Sequence, residues 1–260
     1  MGIGVAGPGL DGWESARKTL AGETPYVPAD ANAYCPEILP PVERRRSSAT
    51  IKWSVQAAHE AATAANVAMG DVASVFASAN GDPDIIHQIC DALSTEPPMV
   101  SPTRFHNSVH NAPAGYWSIA TGSRQPATAI AAYDDTFSAG ILAAMAQVTS
   151  EKLPVLLVVY DRPFPSPLAQ ARVLGAPFAA AFVLAPQDQP DAYGHVSVAF
   201  GHERVPDTIL DDPLLEALRL SNPAARALPL LRAIAGGTRA EEVCLTHRGS
   251  GRLRLRYTPC

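Results

Sequence analysis

The side chains whose types and spacing could support chemistry gather around one stretch, AYDDTFSAGILAAM, residues 132–145. An apolar run, ATAIAA, leads into it and reads as a buried strand, and SAGILAAMAQV, after a short polar turn, reads as a helix. A strand–turn–helix elbow of this kind lifts a nucleophile, normally cysteine or serine, to a sharp apex where it can attack an acyl group. The apex here falls among Asp135, Thr136, Phe137 and Ser138. Ser138 is the candidate nucleophile, although Thr136 stands where a Gly-x-Ser-x-Gly elbow has its first glycine. A general base would come from His110, His195, His202 or His247, and no spacing selects one of them. Without a base, Ser138 is a small residue suited to a helix start.

The other reactive residues are scattered. Cys35, Cys90, Cys244 and Cys260 show neither metal-ligand spacing nor a CxxC pair, so neither a zinc site nor a disulfide framework is expected. Cys90, in IIHQICDAL, is expected on the buried side of a helix. Gly2-x-Gly4-x-x-Gly7 has the form of a dinucleotide fingerprint, but that motif works at the end of a strand, and here none can precede it and Pro8 follows at once. It reads instead as a glycine-rich first strand packed closely on its neighbours. His59 is expected as a packed or surface residue. Arg44, Arg45 and Arg46 read as a solvated helix end or a salt-bridge donor.

The elements that must position these residues alternate. DGWESARKTLAG predicts a short helix, residues 24–41 a proline-rich loop, and residues 50–69 an alanine-rich helix ended by Gly70. VASVFASAN reads as a strand, DPDIIHQICDAL as a helix, and Pro113 opens a helix that closes at Gly122. After the elbow, PVLLVVYD is a strongly apolar strand, and AAAFVLA and HVSVAF follow as two strands expected antiparallel at an edge. Residues 213–234 look helical with a break at Pro223, and RLRLRY alternates like a half-exposed strand. Apolar strands alternating with helices indicate a largely parallel α/β core.

Composition fits a single soluble globular domain over residues 1–260, with 47% hydrophobic and 17% charged residues. The 25 acidic and 20 basic residues are intermixed and sum to −5, which argues against a nucleic-acid or anionic-membrane surface. No apolar run is long enough for a membrane span and no export signal is visible, so a cytoplasmic protein is expected.

Three segments, GPGLDGWESARKTLAGE, FHNSVHNAPAGYWSIATG and ATAIAAYDDTFSAGILAAM, resemble the N-terminal half of β-ketoacyl synthases. More closely, they resemble the short ketosynthase-like proteins of chain-length-factor type found beside aryl-polyene and related fatty-acid-like pathways. The similarity runs from about residue 3 to about residue 205 and leaves residues 206–260 without an assigned role. It implies a thiolase-like layered α/β fold, a mostly parallel sheet with helices on both faces. The elbow strand would lie at the middle of the subunit, with its helix pointing into the core.

Full synthases of that family have two such halves, with an acyl-accepting cysteine at the elbow and two histidines from the second half. Matching TFSAG to the family's Ala-Cys-Ala-Ser-Gly pattern places Phe137 at the cysteine and Gly140 on the glycine. His195, His202 and His247 match none of the family's His-Gly-Thr-Gly-Thr motif, and the chain is too short for a complete second half. The resemblance therefore implies a non-catalytic subunit that pairs with a catalytic ketosynthase and meets an acyl carrier protein bearing a phosphopantetheine arm. No cofactor or metal is implied. Phe105, His110, Asn111, Tyr116, Trp117, Ala129, Phe137 and Gly140 are the acyl-pocket or interface candidates. The rival reading is an independent acyltransferase or hydrolase using Ser138; a third keeps condensation with an unconventional residue.

Overall fold

The computed structural model describes residues 2–30, 32–186, 192–202, 205–237, 239, 241–247, 249 and 251–260. From the N-terminus run β1 (Ile3–Gly7), β2 (Leu10–Asp11), α1 (Trp13–Leu20), α2 (Pro41–Arg46), α3 (Ala49–Ala64) and β3 (Ala73–Ala77). Next come α4 (Pro83–Leu93), α5 (Pro102–Asn107), α6 (Ala112–Thr121), β4 (Ala127–Ile130), α7 (Thr136–Glu151) and β5 (Val155–Asp161). The chain continues with β6 (Phe178–Leu184), β7 (Gly194–Gly201), α8 (Pro213–Ser221), α9 (Leu228–Gly236), β8 (Glu241–His247) and β9 (Gly251–Pro259).

Small residues set the tightest packing. A Cβ on Gly2 or Gly4 would collide with the backbone carbonyls of Ala61 and Ala57, so β1 lies directly on the alanine face of α3. Between those contacts Glu60 turns back. Its Oε2 accepts from the Val5 amide at 3.0 Å and its Oε1 from the Trp13 amide, serving the start of α1, where Gly12 offers no capping side chain. Ser48 caps α3 by accepting from the Ile51 amide at 3.2 Å. The helix stops at Ala64, short of the expected Gly70, because Asn66 adopts φ 51° and turns the chain out of helical geometry.

The main sheet has the order β2-β1-β6-β5-β3-β4. The layered α/β class holds, and the sheet is mixed. β3 pairs in parallel with both β4 and β5, whereas β6 runs antiparallel between β1 and β5. β6 is thus an inner strand rather than an edge strand, and buried runs such as FAAAFVL look alike in either direction. β7 leaves this sheet altogether and joins a second one, β7-β9-β8, in which β8 was not foreseen. Helices cover both faces. α3 and α6 bury Trp53, Tyr116 and Trp117 against Phe76 and Tyr160 on one side. On the other, α1, α7, α8, α9 and the inner face of the second sheet share a cluster with β1, β3, β5 and β6.

Candidate functional site

The elbow is built where the strand–turn–helix pattern places it, with its apex earlier than expected. Tyr133 takes φ 53°, the left-handed region that a bulky residue rarely enters, and a tight turn over Tyr133–Asp135 leads into α7. Thr136 ties this turn from inside: its Oγ1 donates to the Tyr133 carbonyl at 2.7 Å and accepts from the Ala132 amide at 3.1 Å. From the loop after β5, the Arg172 guanidinium stacks on the Tyr133 ring at 3.7 Å and pairs with Asp134 at 2.6 Å. The apex is therefore Tyr133, which is 64% exposed, and the span 135–138 already belongs to the helix and its cap. Expecting the apex at the helix start overlooked this intervening turn.

Behind the apex, the first turn of α7 points inward. Phe137 is fully buried and its ring lies 6.2 Å from that of Phe182. Ser138 is 2% exposed, and of the four candidate bases His247 on β8 comes within reach, with Nδ1 3.3 Å from Ser138 Oγ. The proton runs the wrong way for base catalysis. Ser138 Oγ sits 2.9 Å from the Asp135 carbonyl and 2.8 Å from the Thr246 carbonyl, which only accept, so its single proton goes to one of them. His247 Nδ1 is left to donate to the hydroxyl. The cavity beside them, lined by Asp134, Asp135, Asp207, Arg226 and Thr246, measures about 10 Å³, room for one water and no acyl group.

A second polar cluster closes the C-terminal ends of the adjacent strands β3 and β5. Asp161 is fully buried and its Oδ1 accepts from Ser78 Oγ at 2.9 Å and from the Ala79 and Asn80 amides at 2.9 and 3.1 Å. Burial outweighs these bonds and pushes its carboxyl up to about 7. His110 Nε2 donates to the Ser78 carbonyl at 2.8 Å, so this histidine braces the turn after β3 next to the elbow strand. Ser78 and Asp161 are 83 residues apart, and no sequence signal joined them.

The remaining candidates divide. Tyr116 and Trp117 are core residues under α3, 2% and 1% exposed, so neither lines a surface pocket; Tyr116 donates to Asn107 Oδ1 at 3.0 Å. Phe105 is 68% exposed, and Asn111 is exposed at the start of α6 without capping it through its side chain. Gly140 is a packing residue rather than an interface one, since a Cβ there would meet Ala77 Cβ at 3.0 Å and Leu157 Cδ1 at 3.2 Å, and it lets α7 settle onto β3 and β5. Ala129 is half-buried on β4, which pairs with β3 alone and forms the edge of the sheet, not the middle of the subunit. Cys35, Cys90 and Cys260 are exposed and Cys244 is buried; Cys90 lies off the buried side of α4, which rests on Pro83 and Ile85.

Among the described residues no cluster of histidine, cysteine and carboxylate side chains is placed to hold a metal ion, and no helix is long and apolar enough to cross a membrane. A larger cleft of about 510 Å³ opens at the far end of α7, between Met145, Val148, Leu184 and Val198, away from the elbow.

Residues 15–234 match the family model described as beta-ketoacyl synthase, N-terminal domain. The chain belongs to this family. Solved structures extend the likeness over the whole fold. A ketosynthase (ApeO) in complex with its chain length factor (ApeC) from Xenorhabdus doucetiae matches at TM-score 0.72 and 20% identity, covering 98% of this chain and 97% of that one. The ishigamide ketosynthase/chain length factor matches at TM-score 0.73 and 12% identity, over 99% and 98%. AntDE:AntF, a type II polyketide acyl-carrier protein in complex with its ketosynthase, matches at TM-score 0.75 and 13% identity, over 100% and 98%. No curated protein matches the chain. At these identities the shared property is the ketosynthase fold. Within it, this family member has Tyr133 at its elbow apex and no cysteine on the turn or the first turn of α7.

Proposed function

We propose that this chain is a non-catalytic ketosynthase-like subunit of chain-length-factor type. It would pair with a cysteine-bearing β-ketoacyl-[acyl-carrier-protein] synthase in fatty-acid- or polyketide-like biosynthesis of the aryl-polyene kind. The observation that carries this is a family elbow without usable chemistry: Tyr133 holds the apex, Phe137 fills the core where the motif match puts the cysteine, and Ser138 spends its proton on backbone carbonyls. Such an elbow cannot accept an acyl group. What it retains is a rigid turn beside an open strand edge.

The edge of β4 is the surface for pairing. An unpaired, small-residue strand offers a row of backbone donors and acceptors that a partner strand can complete. Ile119 on α6, which packs against β4, and Tyr133 just past the strand's end are exposed apolar side chains beside this edge, and Phe105 and Val109 are exposed on the segment leading into α6. Phe105 and Tyr133 are then the side chains this subunit brings to the wall of the partner's acyl pocket. The acyl carrier protein, delivering chains on its phosphopantetheine arm, is the third partner, and residues 1–260 act as one unit. The rival reading with Ser138 as nucleophile loses support from the direction of its proton and the one-water cavity.

The test is reconstitution. The isolated chain with acyl- and malonyl-loaded carrier protein should give no ketoacyl product, whereas a 1:1 complex with a neighbouring ketosynthase should condense. Sustained turnover by the pure chain, abolished by Ser138→Ala, would replace the subunit reading with the acyltransferase or hydrolase one.

A further inference from the structure

The cleft at the far end of α7 has a second open strand for one of its walls. β7 pairs with β9 along its whole length, and among the described residues no strand joins its other side. Residues 194–198 of β7 all line the cleft, although side chains along a strand point alternately to opposite faces, so it is the free backbone edge that looks into the opening. Met145 and Val148, on the last two turns of α7, form another wall, and Val183 and Leu184 at the end of β6 complete it. The β7 sequence, GHVSVAFG, has no lysine, arginine, carboxylate or proline, the residues that commonly guard an exposed edge. Its guard is the wall of α7 beside it. A cleft of about 510 Å³ admits one extended segment and leaves no room for a second sheet with its covering helices. Lys152 is the sole formally charged side chain among the described residues of the lining. It is exposed at the end of α7, where φ 59° turns the chain out of the helix, and no carboxylate in the cleft opposes it.

We infer that this cleft binds an extended segment of a partner polypeptide, which adds a fourth strand beside β7 and sets an acidic residue against Lys152. The segment's backbone meets the outward donors and acceptors of β7 at the strand spacing of about 4.8 Å, along roughly 14 Å of edge. Every second side chain of the segment then turns toward Met145, Val148 and the Val196–Val198 face, so apolar residues alternate with small polar ones. An alkyl chain would fill the same apolar walls and leave the N–H and C=O groups of the edge unanswered, which favours a peptide over a lipid. The inference uses neither the elbow nor the pairing through β4, so it stands or falls apart from the subunit reading.

The experiment titrates synthetic peptides of alternating valine and threonine into the full chain, two with aspartate at one end or the other and a third with lysine in its place; dodecanoate is the competing probe. Variants are Lys152→Glu, Thr149→Trp to fill the cleft from an exposed helix position, and Lys18→Glu as a control on α1. Melting temperatures establish that each variant is folded. Expected are saturable binding of at least one aspartate peptide, about threefold to fivefold tighter than the lysine peptide, a reversal of that order in Lys152→Glu, loss of binding in Thr149→Trp, and no change in Lys18→Glu. Amide hydrogen exchange supplies a readout that cleft filling alone would not move: amides of residues 194–198 should slow when the peptide binds, because strand addition engages the free edge. Failure of both aspartate peptides to bind overturns the inference, as does an unchanged order of affinities in Lys152→Glu or unslowed β7 amides in the complex. Binding of dodecanoate in place of the peptides assigns the cleft to an amphiphile instead, and self-association of the chain that the peptides do not displace assigns the β7 edge to a second copy; either result also overturns it.

Discussion

Replacing Ala129 with proline separates the two edges of β4. Ser74 donates to the Pro126 carbonyl and Ser78 to the Ile130 carbonyl, each at 3.0 Å. A parallel ladder alternates evenly, so Thr128 and Ile130 bond to β3 and the amides of Ala127 and Ala129 point to the open edge. Proline at 129 therefore removes no bond within the subunit, and an edge position tolerates it at a cost of about 1 kcal/mol. In the complex it deletes one donor and leaves a partner carbonyl unsatisfied, about 1–3 kcal/mol, or roughly 5- to 150-fold in affinity. Thr128→Pro should do the opposite, breaking the ladder to β3 and destabilising the isolated chain by about 3 kcal/mol. Thermal melts of the chain and calorimetric titration with the ketosynthase distinguish the two. Unchanged affinity in a folded Ala129→Pro protein would refute pairing through β4, and melting as low as Thr128→Pro would refute the assigned register.

Phe137→Cys should lower stability by about 3 kcal/mol, since a fully buried ring is lost, and restore no condensation; urea denaturation and product analysis read both effects. Asp161→Asn mimics the protonated acid and keeps an oxygen for Ser78, Ala79 and Asn80. Because burial holds the Asp161 carboxyl near 7 in the fold, above its unfolded value, its stabilising contribution is complete below about pH 4 and lost as pH rises through 7. The urea midpoint of wild type minus that of Asp161→Asn should accordingly fall between about pH 4 and about pH 7 and level off above, and a flat difference across that range would show the carboxyl ionising in the fold as it does in the unfolded chain. Phe105→Ala should leave the melting temperature within about 1 °C and shift the product lengths of the complex, whereas Trp117→Ala should cost about 3–5 kcal/mol and deplete the folded protein.

Features set by neighbouring residues were legible in the sequence. Pro113 and Gly122 bound α6, Pro223 breaks α8 from α9, and the close packing of Gly2 and Gly4 was readable from the missing side chains alone. Features set by distant residues were not. β6 carries an apolar run that fits either direction, and only its neighbours β1 and β5 decide that it runs against them. Ser138 and His247 meet across 109 residues, and the proton's destination depends on two carbonyls that no side-chain pattern encodes. Tyr133 was missed because a left-handed tyrosine has no local signature; it is held by Thr136 beneath it and Arg172 above it.

That tyrosine also explains how an elbow persists without its nucleophile. A bulky residue in the left-handed region costs on the order of 1–3 kcal/mol. The two Thr136 hydrogen bonds contribute about 1 kcal/mol each, and the Arg172 stack adds about 1 kcal/mol more, so the turn is stable with no substrate or thiolate to hold it. Phe137 and Gly140 then fix the helix behind it, one by filling volume and the other by leaving room for the Ala77 side chain. None of these four contributions uses a reactive group. The elbow is a mechanical joint that sets the angle between an open strand and a buried helix, and in the proposed assembly that joint would hold the β4 edge in place for a partner strand.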